Sequence, residues 1–391
     1  MRLAAVVLAL AACGGGGSAS DAPAGSDSAP PDSGLDLTKP PVVDVSLTTP
    51  PQYLSSYNLF TWSAAGGFTF NETGARIVPY DLNTPLFSDD MLKSRAIYVP
   101  PGMTATFDPE LAFDFPVGSA LIKTFSYAPD LRQPTVGVKL VETRLLVRYA
   151  DGWHPLPYIW NDAQTDAVYT PSGDVRSISF TDDLGTPVTA SYLIPEKNEC
   201  QNCHAREEDD GSIDLVPIGI KARHLDKTYA YADGSANILT RLSSQSMLAG
   251  LPELSTITPS YDFTPIQSGG VAAIPAADVD TAARSYLDIN CAHCHNPHGV
   301  NGITSQLFLN HDNTDPFHLG VCKRPGSAGN GTGGFTFDIV PGDADTSILY
   351  FRVHTTQVGA MMPLIGRSLE HVHGSDLVHA WIAAMPAQSC D

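Results

Sequence analysis

The 391-residue chain carries 42 acidic against 22 basic residues, a formal charge of −20, and is 43% hydrophobic. So acidic a composition excludes nucleic-acid binding as the main role, because phosphate contacts need clustered Lys and Arg, and it suits a basic protein partner. No internal apolar run reaches the ~20 residues of a membrane-spanning helix, while roughly 350 residues beyond the N-terminal region suffice for two or three domains.

Met1-Arg2, an apolar run over residues 3–10 and then Leu10-Ala11-Ala12-Cys13 have the order of a secretory signal. Leu-Ala-Ala-Cys also resembles the lipobox of bacterial lipoproteins, which makes residues 1–13 a signal with Cys13 as the lipidated residue. Gly14 after the cysteine is similar to lipoproteins sorted to the outer membrane. Residues 14–41 open with four glycines and continue rich in Ser, Ala, Asp and Pro. Such a composition cannot bury a core and predicts a flexible tether.

Residues 42–195 read as strands. Residues 140–149 are rich in β-branched and apolar side chains, and Ala150-Asp151-Gly152 offers a hairpin turn. Residues 175–180 and 188–194 flank a second turn at Asp182-Asp183-Leu184-Gly185, and residues 113–116 and 120–127 add further strands. The expected architecture is α+β and multidomain: an all-β sandwich or barrel over 42–195, followed by mainly α-helical domains. These comprise a first motif region at 196–252 with a helix over 235–248, a connector at 253–274, and a C-terminal domain at 275–391. In that last domain Val279, Ala282, Ala283, Tyr286 and Leu287 repeat at helical spacing behind Asp278 as a candidate cap. A second helix over 347–353 and a terminal one carrying Leu377, Val378, Trp381, Ile382 and Met385 complete the helical order of that domain.

Two pentapeptides carry the chemistry: Cys200-Gln201-Asn202-Cys203-His204 and Cys291-Ala292-His293-Cys294-His295. Each is Cys-x-x-Cys-His, the attachment pattern of a c-type heme. Two thiols at this spacing reach the two vinyl groups of one porphyrin, and the following imidazole falls beneath the iron. A zinc knuckle would bring its CxxC pairs within roughly 15–20 residues of each other, and a redox dithiol would not need a histidine after both pairs. The cofactors expected are two covalently attached hemes, with His204 and His295 as proximal ligands.

For the second iron Met362, in Met361-Met362-Pro363, is the distal candidate, with Met361 and His354 as alternatives. For the first, Met247 and His224 compete, and an open iron is a third possibility. Arg352 and Arg367 are candidates to pair with heme propionates, each balanced against an ordinary surface charge. His293 and His298 should lie near a heme edge. Setting aside Cys13 and the four heme cysteines leaves Cys322 and Cys390, either disulfide-bonded or two free buried thiols.

The chain resembles a family of exported diheme c-type cytochromes of Gram-negative bacteria, many of them lipoproteins. The likeness is carried by Pro85-Leu86-Phe87-Ser88-Asp89, Phe113-Asp114-Phe115-Pro116-Val117-Gly118, Glu142-Thr143-Arg144-Leu145-Leu146-Val147, the second heme motif with Tyr286-Leu287-Asp288-Ile289-Asn290 before it, Pro341-Gly342-Asp343 and Met361-Met362-Pro363. It implies electron transfer between redox proteins by a carrier that catalyses no substrate reaction of its own, attached to a membrane only through its lipid. The competing expectation is a diheme peroxidase-like redox enzyme with an open first heme. A third gives residues 42–195 a role in recognising a partner.

Overall fold

The computed structural model describes residues 40–63, 67–72, 76–300 and 305–391. The signal, Cys13 and nearly all of the tether lie outside them. Strands β1 (Phe60–Ser63) and β2 (Gly67–Phe70) form an antiparallel hairpin. Strands β3 (Ile77–Tyr80) and β4 (Leu92–Tyr98) then begin the main sheet, and the short β5 (Ala105–Thr106) stands outside it. The sheet continues through β6 (Ala120–Tyr127), β7 (Lys139–Tyr149), β8 (Gly152–Trp160) and β9 (Ala167–Tyr169). All six strands are antiparallel in the order β3-β4-β6-β7-β8-β9. A long hairpin, β10 (Asp174–Thr181) with β11 (Pro187–Ile194), follows. The turn between β7 and β8 needs only Ala150-Asp151, with Gly152 at φ 130° where a Cβ would strain.

Alternation along the strands sorts the side chains onto two faces. One face buries Tyr98, Ile122, Leu145, Leu156 and Tyr158 against residues 54–60. On the other face, Ile97, Leu121 and Leu146 pack with Ile220, Leu225, Leu239 and Leu242, whereas Phe125 and Ile159 pack with Ile178, Phe180 and Tyr192 of the long hairpin. Between these two apolar patches the register sets Arg95, Lys123 and Arg144 side by side.

The expectation of a β-sandwich or barrel followed by mainly α-helical heme domains is corrected by this architecture. The chain is about 23% helical and 27% strand, and its main sheet is one six-stranded antiparallel layer. Strands also continue beyond residue 195: β12 (Ala205–Glu207) pairs with β13 (Ile213–Leu215), β14 (Thr228–Tyr231) with β15 (Gly234–Asn237), and β16 (Leu248–Ala249) runs parallel to β5. Helices α1 (Gln201–His204), α2 (Ala222–Leu225) and α3 (Ile238–Ser244) are one or two turns long. The helix expected over 235–248 shrinks because Asn237 accepts from the backbone N–H groups of Leu239 and Thr240 and so starts α3 there. Residues 234–237 instead pair with β14.

Beyond the connector, which contains α4 (Thr264–Gly269) with Ile266 fully buried, the helical expectation fits better. Helix α5 (Val279–Asn290) leads into the second motif, α6 (Pro316–Leu319) and α7 (Ile348–His354) follow, and α8 (Val372–Ala383) packs back on α5. Ala282, Ala283, Tyr286 and Leu287 meet Leu377, Val378, Trp381 and Ile382 in one core. Burying each of these larger side chains contributes about 1.5–3 kcal/mol. Trp381 Nε1 also donates to Asp280 at 2.7 Å. Asp278 makes no cap bond to α5; its carboxylate accepts from the Tyr261 hydroxyl instead.

The last turn of α5 joins the helical end to the sheet. Asn290 donates to Pro85 O at 3.0 Å and accepts from Phe87 N at 2.8 Å. Asp89, four residues after Pro85, accepts from the backbone of Ser368 and Leu369. Asp288 has no exposed side-chain surface and bonds His224 at 2.9 Å, Arg223 at 3.4 Å and the His311 backbone N–H at 3.0 Å. The described residues accordingly form one compact unit.

Burial alone would raise the pKa of Asp288, but Lys221, His224 and Arg223 hold it well below the usual carboxylate range. A carboxylate depressed in this way stabilises the fold above its unfolded pKa of about 3.9, and the contribution is lost as pH falls below that value. Asp288→Asn should cost about 3–5 kcal/mol at pH 7 by stranding buried cations. Urea unfolding at pH 7 and pH 3 should find that the variant loses less stability on acidification than the parent does.

Candidate functional site

The first motif follows a single turn, residues 197–200, whose start is fixed by a reciprocal capping box between Glu196 and Glu199. Cys200 and Cys203 are reduced and half-buried. His204 Nδ1 donates to Val216 O at 2.7 Å, and Val216 N donates back to His204 O at 2.8 Å. Committing Nδ1 to a carbonyl fixes the tautomer and leaves Nε2 for a metal, the usual support of a ligating histidine. Burial lowers the pKa of His204, against the opposing pull of the Val216 carbonyl.

The second motif caps α5. Cys294 N and His295 N both donate to Cys291 O, so the two thiols and the imidazole share one tight turn. His295 O accepts from Leu309 N at 2.8 Å, and its Nδ1 lies 3.4 Å from Ser305 Oγ. Burial carries His295 down to about 4, which keeps the ring neutral and able to ligate. Burial raises the Cys291 thiol to about 12, partly offset by Arg367.

Cys291, Cys294 and His295 open on a cavity of about 850 Å³, whose walls include the apolar Leu309, Ile348, Leu349 and Val353. This volume falls in the range of cofactor pockets, about 300–1,000 Å³. Of the three distal candidates, Met362 is the one in the cavity wall. Its backbone N–H donates to Arg352 O at 2.8 Å, fastening it to α7. Met361 lies on the same loop without lining the cavity, and His354 Nδ1 is 2.7 Å from Glu370 on the outer side of α7. Arg352 lines the cavity and donates Nε to Ala360 O. Arg367 instead holds the loop, donating to Arg352 O, Thr355 O and Leu369 O; its Nε is buried without a partner among the described residues.

The two distal candidates for the first iron have other employment. His224 donates Nε2–H to Asp288 and accepts on Nδ1 from Ser260 Oγ at 2.9 Å, so both ring nitrogens are taken. Burial keeps it neutral. Met247 is 1% exposed, packed in the apolar core with Leu242 and Leu248.

The two motifs meet. The sulfurs of Cys203 and Cys294 and a ring nitrogen of His293 lie within 4.8 Å of one another. Cys294 S–H also reaches Asn202 O at 3.2 Å. The hydrogen bond between the cysteines pulls Cys203 toward the thiolate and pushes Cys294 up. Beside them Arg206 bridges to Gly299, Glu207 N donates to His298 O at 2.9 Å, and the His298 ring returns a bond to Glu207 O. His293 Nδ1 is buried and unpartnered among the described residues. The donor set therefore fits attached porphyrin: two thiol pairs, each followed by an imidazole, and at the second motif an apolar cavity of suitable size.

Residues of the site that the motif alone did not disclose are Asn290, Asp89 and His371. The first two stand in the words Tyr286-Leu287-Asp288-Ile289-Asn290 and Pro85-Leu86-Phe87-Ser88-Asp89, so a signal existed without a role. His371 stacks on Phe87 at 4.4 Å and bonds Tyr286 OH, and burial takes it down to about 3. Cys322 and Cys390 are joined in a disulfide that closes 68 residues and ties the C terminus to the loop beyond the second motif. Closing a loop of that size stabilises the fold by ~4 kcal/mol on chain-entropy grounds. Cys390→Ser should lower thermal stability by about 2–4 kcal/mol and leave the visible absorption spectrum of the purified protein unchanged.

No helix among the described residues is long and apolar enough to cross a membrane. No protein-family model, curated protein or solved structure matches the chain.

Proposed function

We propose that the protein is an exported diheme c-type cytochrome, lipid-anchored through Cys13, that relays single electrons between redox proteins. The observation that carries this reading is the convergence of the two Cys-x-x-Cys-His turns at Cys203 and Cys294. Two attachment sites brought side by side suit a relay, since an electron entering at one passes to the other through very little intervening protein. Bound there, each heme would supply a one-electron iron couple.

Cys200 and Cys203 would hold the first heme and Cys291 and Cys294 the second, with His204 and His295 as ligands through Nε2. Met362 would be the second protein ligand to that heme, which would raise its potential and close it to substrate. The apolar walls of the cavity keep water away and disfavour the charged oxidised state. Arg352 offers a guanidinium to a propionate at the cavity margin. The acidic surface favours a partner with a basic docking face.

A second reading has one observation in its favour. His224 and Met247 are both committed elsewhere, which supports an open first iron and hence a peroxidase-like activity.

Pyridine hemochrome assay should find two hemes per chain, and spectroelectrochemical titration should resolve two waves. Met362→Ala should lower one potential by a tenfold change in the reduction equilibrium, about 59 mV for one electron, and leave the other wave in place. A protein without heme that holds one tightly bound zinc at Cys203, His293 and Cys294 would sink the cytochrome reading. A high-spin first heme that turns over peroxide would select the enzyme over the carrier.

A further inference from the structure

The middle of the main sheet carries more positive charge than its surroundings balance. Arg95 stands opposite Lys123 across β4 and β6, and Lys123 stands opposite Arg144 across β6 and β7. Lys93 stands opposite Phe125. Like charges directly across a sheet repel, and here they are drawn onto a single ring. Lys93 Nζ, Lys123 Nζ and the Arg144 guanidinium lie 5.9, 4.8 and 4.5 Å from the Phe125 centroid.

Two carboxylates serve this group of four cations. Asp81 pairs with Arg95 at 2.7 Å, and Glu142 pairs with Arg144, accepting on one oxygen from Nε at 2.8 Å and on the other also from the Tyr192 hydroxyl. Lys93 donates to Met91 O at 2.8 Å and feels Asp90 and Asp89 only beyond ion-pair distance. Lys123 has no hydrogen bond or ion pair among the described residues. Burial lowers the pKa of both lysines, Lys93 to about 7, and neither has a carboxylate within ion-pair distance among the described residues to hold it charged, in a chain that has acid to spare. The band is flanked by the two apolar patches of this sheet face, yet the Arg144 side chain keeps 30% exposure. The basic band is thus open to solvent at Arg144.

The first Cys-x-x-Cys-His turn lies beside that band. Residues 197–200 pack on β8, the strand beside β7. The charge of Arg144 reaches the Cys200 thiol and that of Lys123 reaches the His204 ring. A porphyrin attached at Cys200 and Cys203 would bring two carboxylates, which matches the two lysines without an acidic partner and would restore the charge that burial disfavours.

We propose that Lys93, Lys123 and Arg144, gathered around Phe125, form a carboxylate-binding cradle that receives the propionates of the first heme. The inference rests on the diheme reading and gives residues 42–195 a part in holding the cofactor. A free carboxylate or phosphate from solution has the same chemistry, and the test separates the two sources.

The experiment uses the full-length holoprotein with Lys123→Gln and Lys123→Arg. Heme content by pyridine hemochrome should remain two per chain. In Lys123→Gln the first-heme potential should fall by about a tenfold change in the reduction equilibrium, about 59 mV, because a positive charge that opposed oxidation is gone. The propionate bending band in the resonance Raman spectrum should shift with it, Lys123→Arg should restore both, and the second heme should stay unchanged. Two intact hemes with potential and band unmoved in Lys123→Gln would overturn the cradle and leave the diheme reading standing. A wild-type first-heme potential that moves on adding acetate or phosphate at constant ionic strength would assign the band to a free anion and likewise overturn it. If Lys123→Gln fails to fold, Lys93→Gln is read against the same outcomes. Absence of heme from the wild-type protein would instead remove the diheme reading itself.

Discussion

The rest of the structure depends on the two Cys-x-x-Cys-His turns being held against each other. A motif at the end of α5 and another after β11 have no local reason to meet. They are brought together by backbone bonds between residues 206–207 and 298–299 and by the contact of Cys294 with Asn202. Those short contacts would slip if the helix behind the second motif could rotate. Asn290 and Asp288 prevent this, because each uses both side-chain oxygens or its full amide on groups far away in sequence. Buried polar groups with all partners satisfied specify one arrangement, since any slip strands several of them at once.

Seen from those anchors, the sheet and the helical end are one body. Pro85 and Phe87 engage Asn290, Asp89 engages the loop that follows Met362, and Phe87 stacks on His371. The strand of chain from Pro85 to Asp89 is therefore a strap that fixes both α5 and the Met362 loop. A thioether ligand depends on such support, because Met is flexible and fills space indifferently unless its backbone is fixed.

The sequence was most informative where chemistry or strict periodicity dictated it. Both motifs, the strands at 120–127, 140–149 and 175–194, helices α5 and α8, and the pairing of Cys322 with Cys390 could be read from residue type and spacing. The fold class could not, for a physical reason: residues 196–252 carry few large apolar side chains, and those they have, such as Ile220, Leu225 and Leu242, are shared with the sheet. A segment that completes another element's core has no periodicity of its own. Asn237 shows the same limit at short range, since its capping bonds end a hairpin and begin a helix within what looked like one helix. The distal candidates Met247 and His224 were chosen by distance along the chain, which says nothing about whether a side chain is already committed. Lys123 carried no signal and Arg144 only a place in the word Glu142-Thr143-Arg144-Leu145-Leu146-Val147, because register across strands, invisible in one sequence, is what makes them neighbours.

Charge is segregated in a way that the net value conceals. Among the described residues the buried bases are Arg95, Arg223, Arg284, Lys323 and Arg367, and the buried acids are Asp89, Glu142, Asp166, Asp288 and Asp338. Five against five leaves the interior balanced, so the whole surplus of acid lies at positions open to water or outside the described residues. That surplus acts at long range on an approaching partner and is screened over about 8–10 Å by salt. The partly buried basic groups around Phe125 act only at contact distance, where the dielectric is lower, and burial itself lowers the pKa of Lys93 and Lys123. An acidic exterior and a partly buried band of basic side chains are therefore compatible in one chain, because burial keeps the two apart.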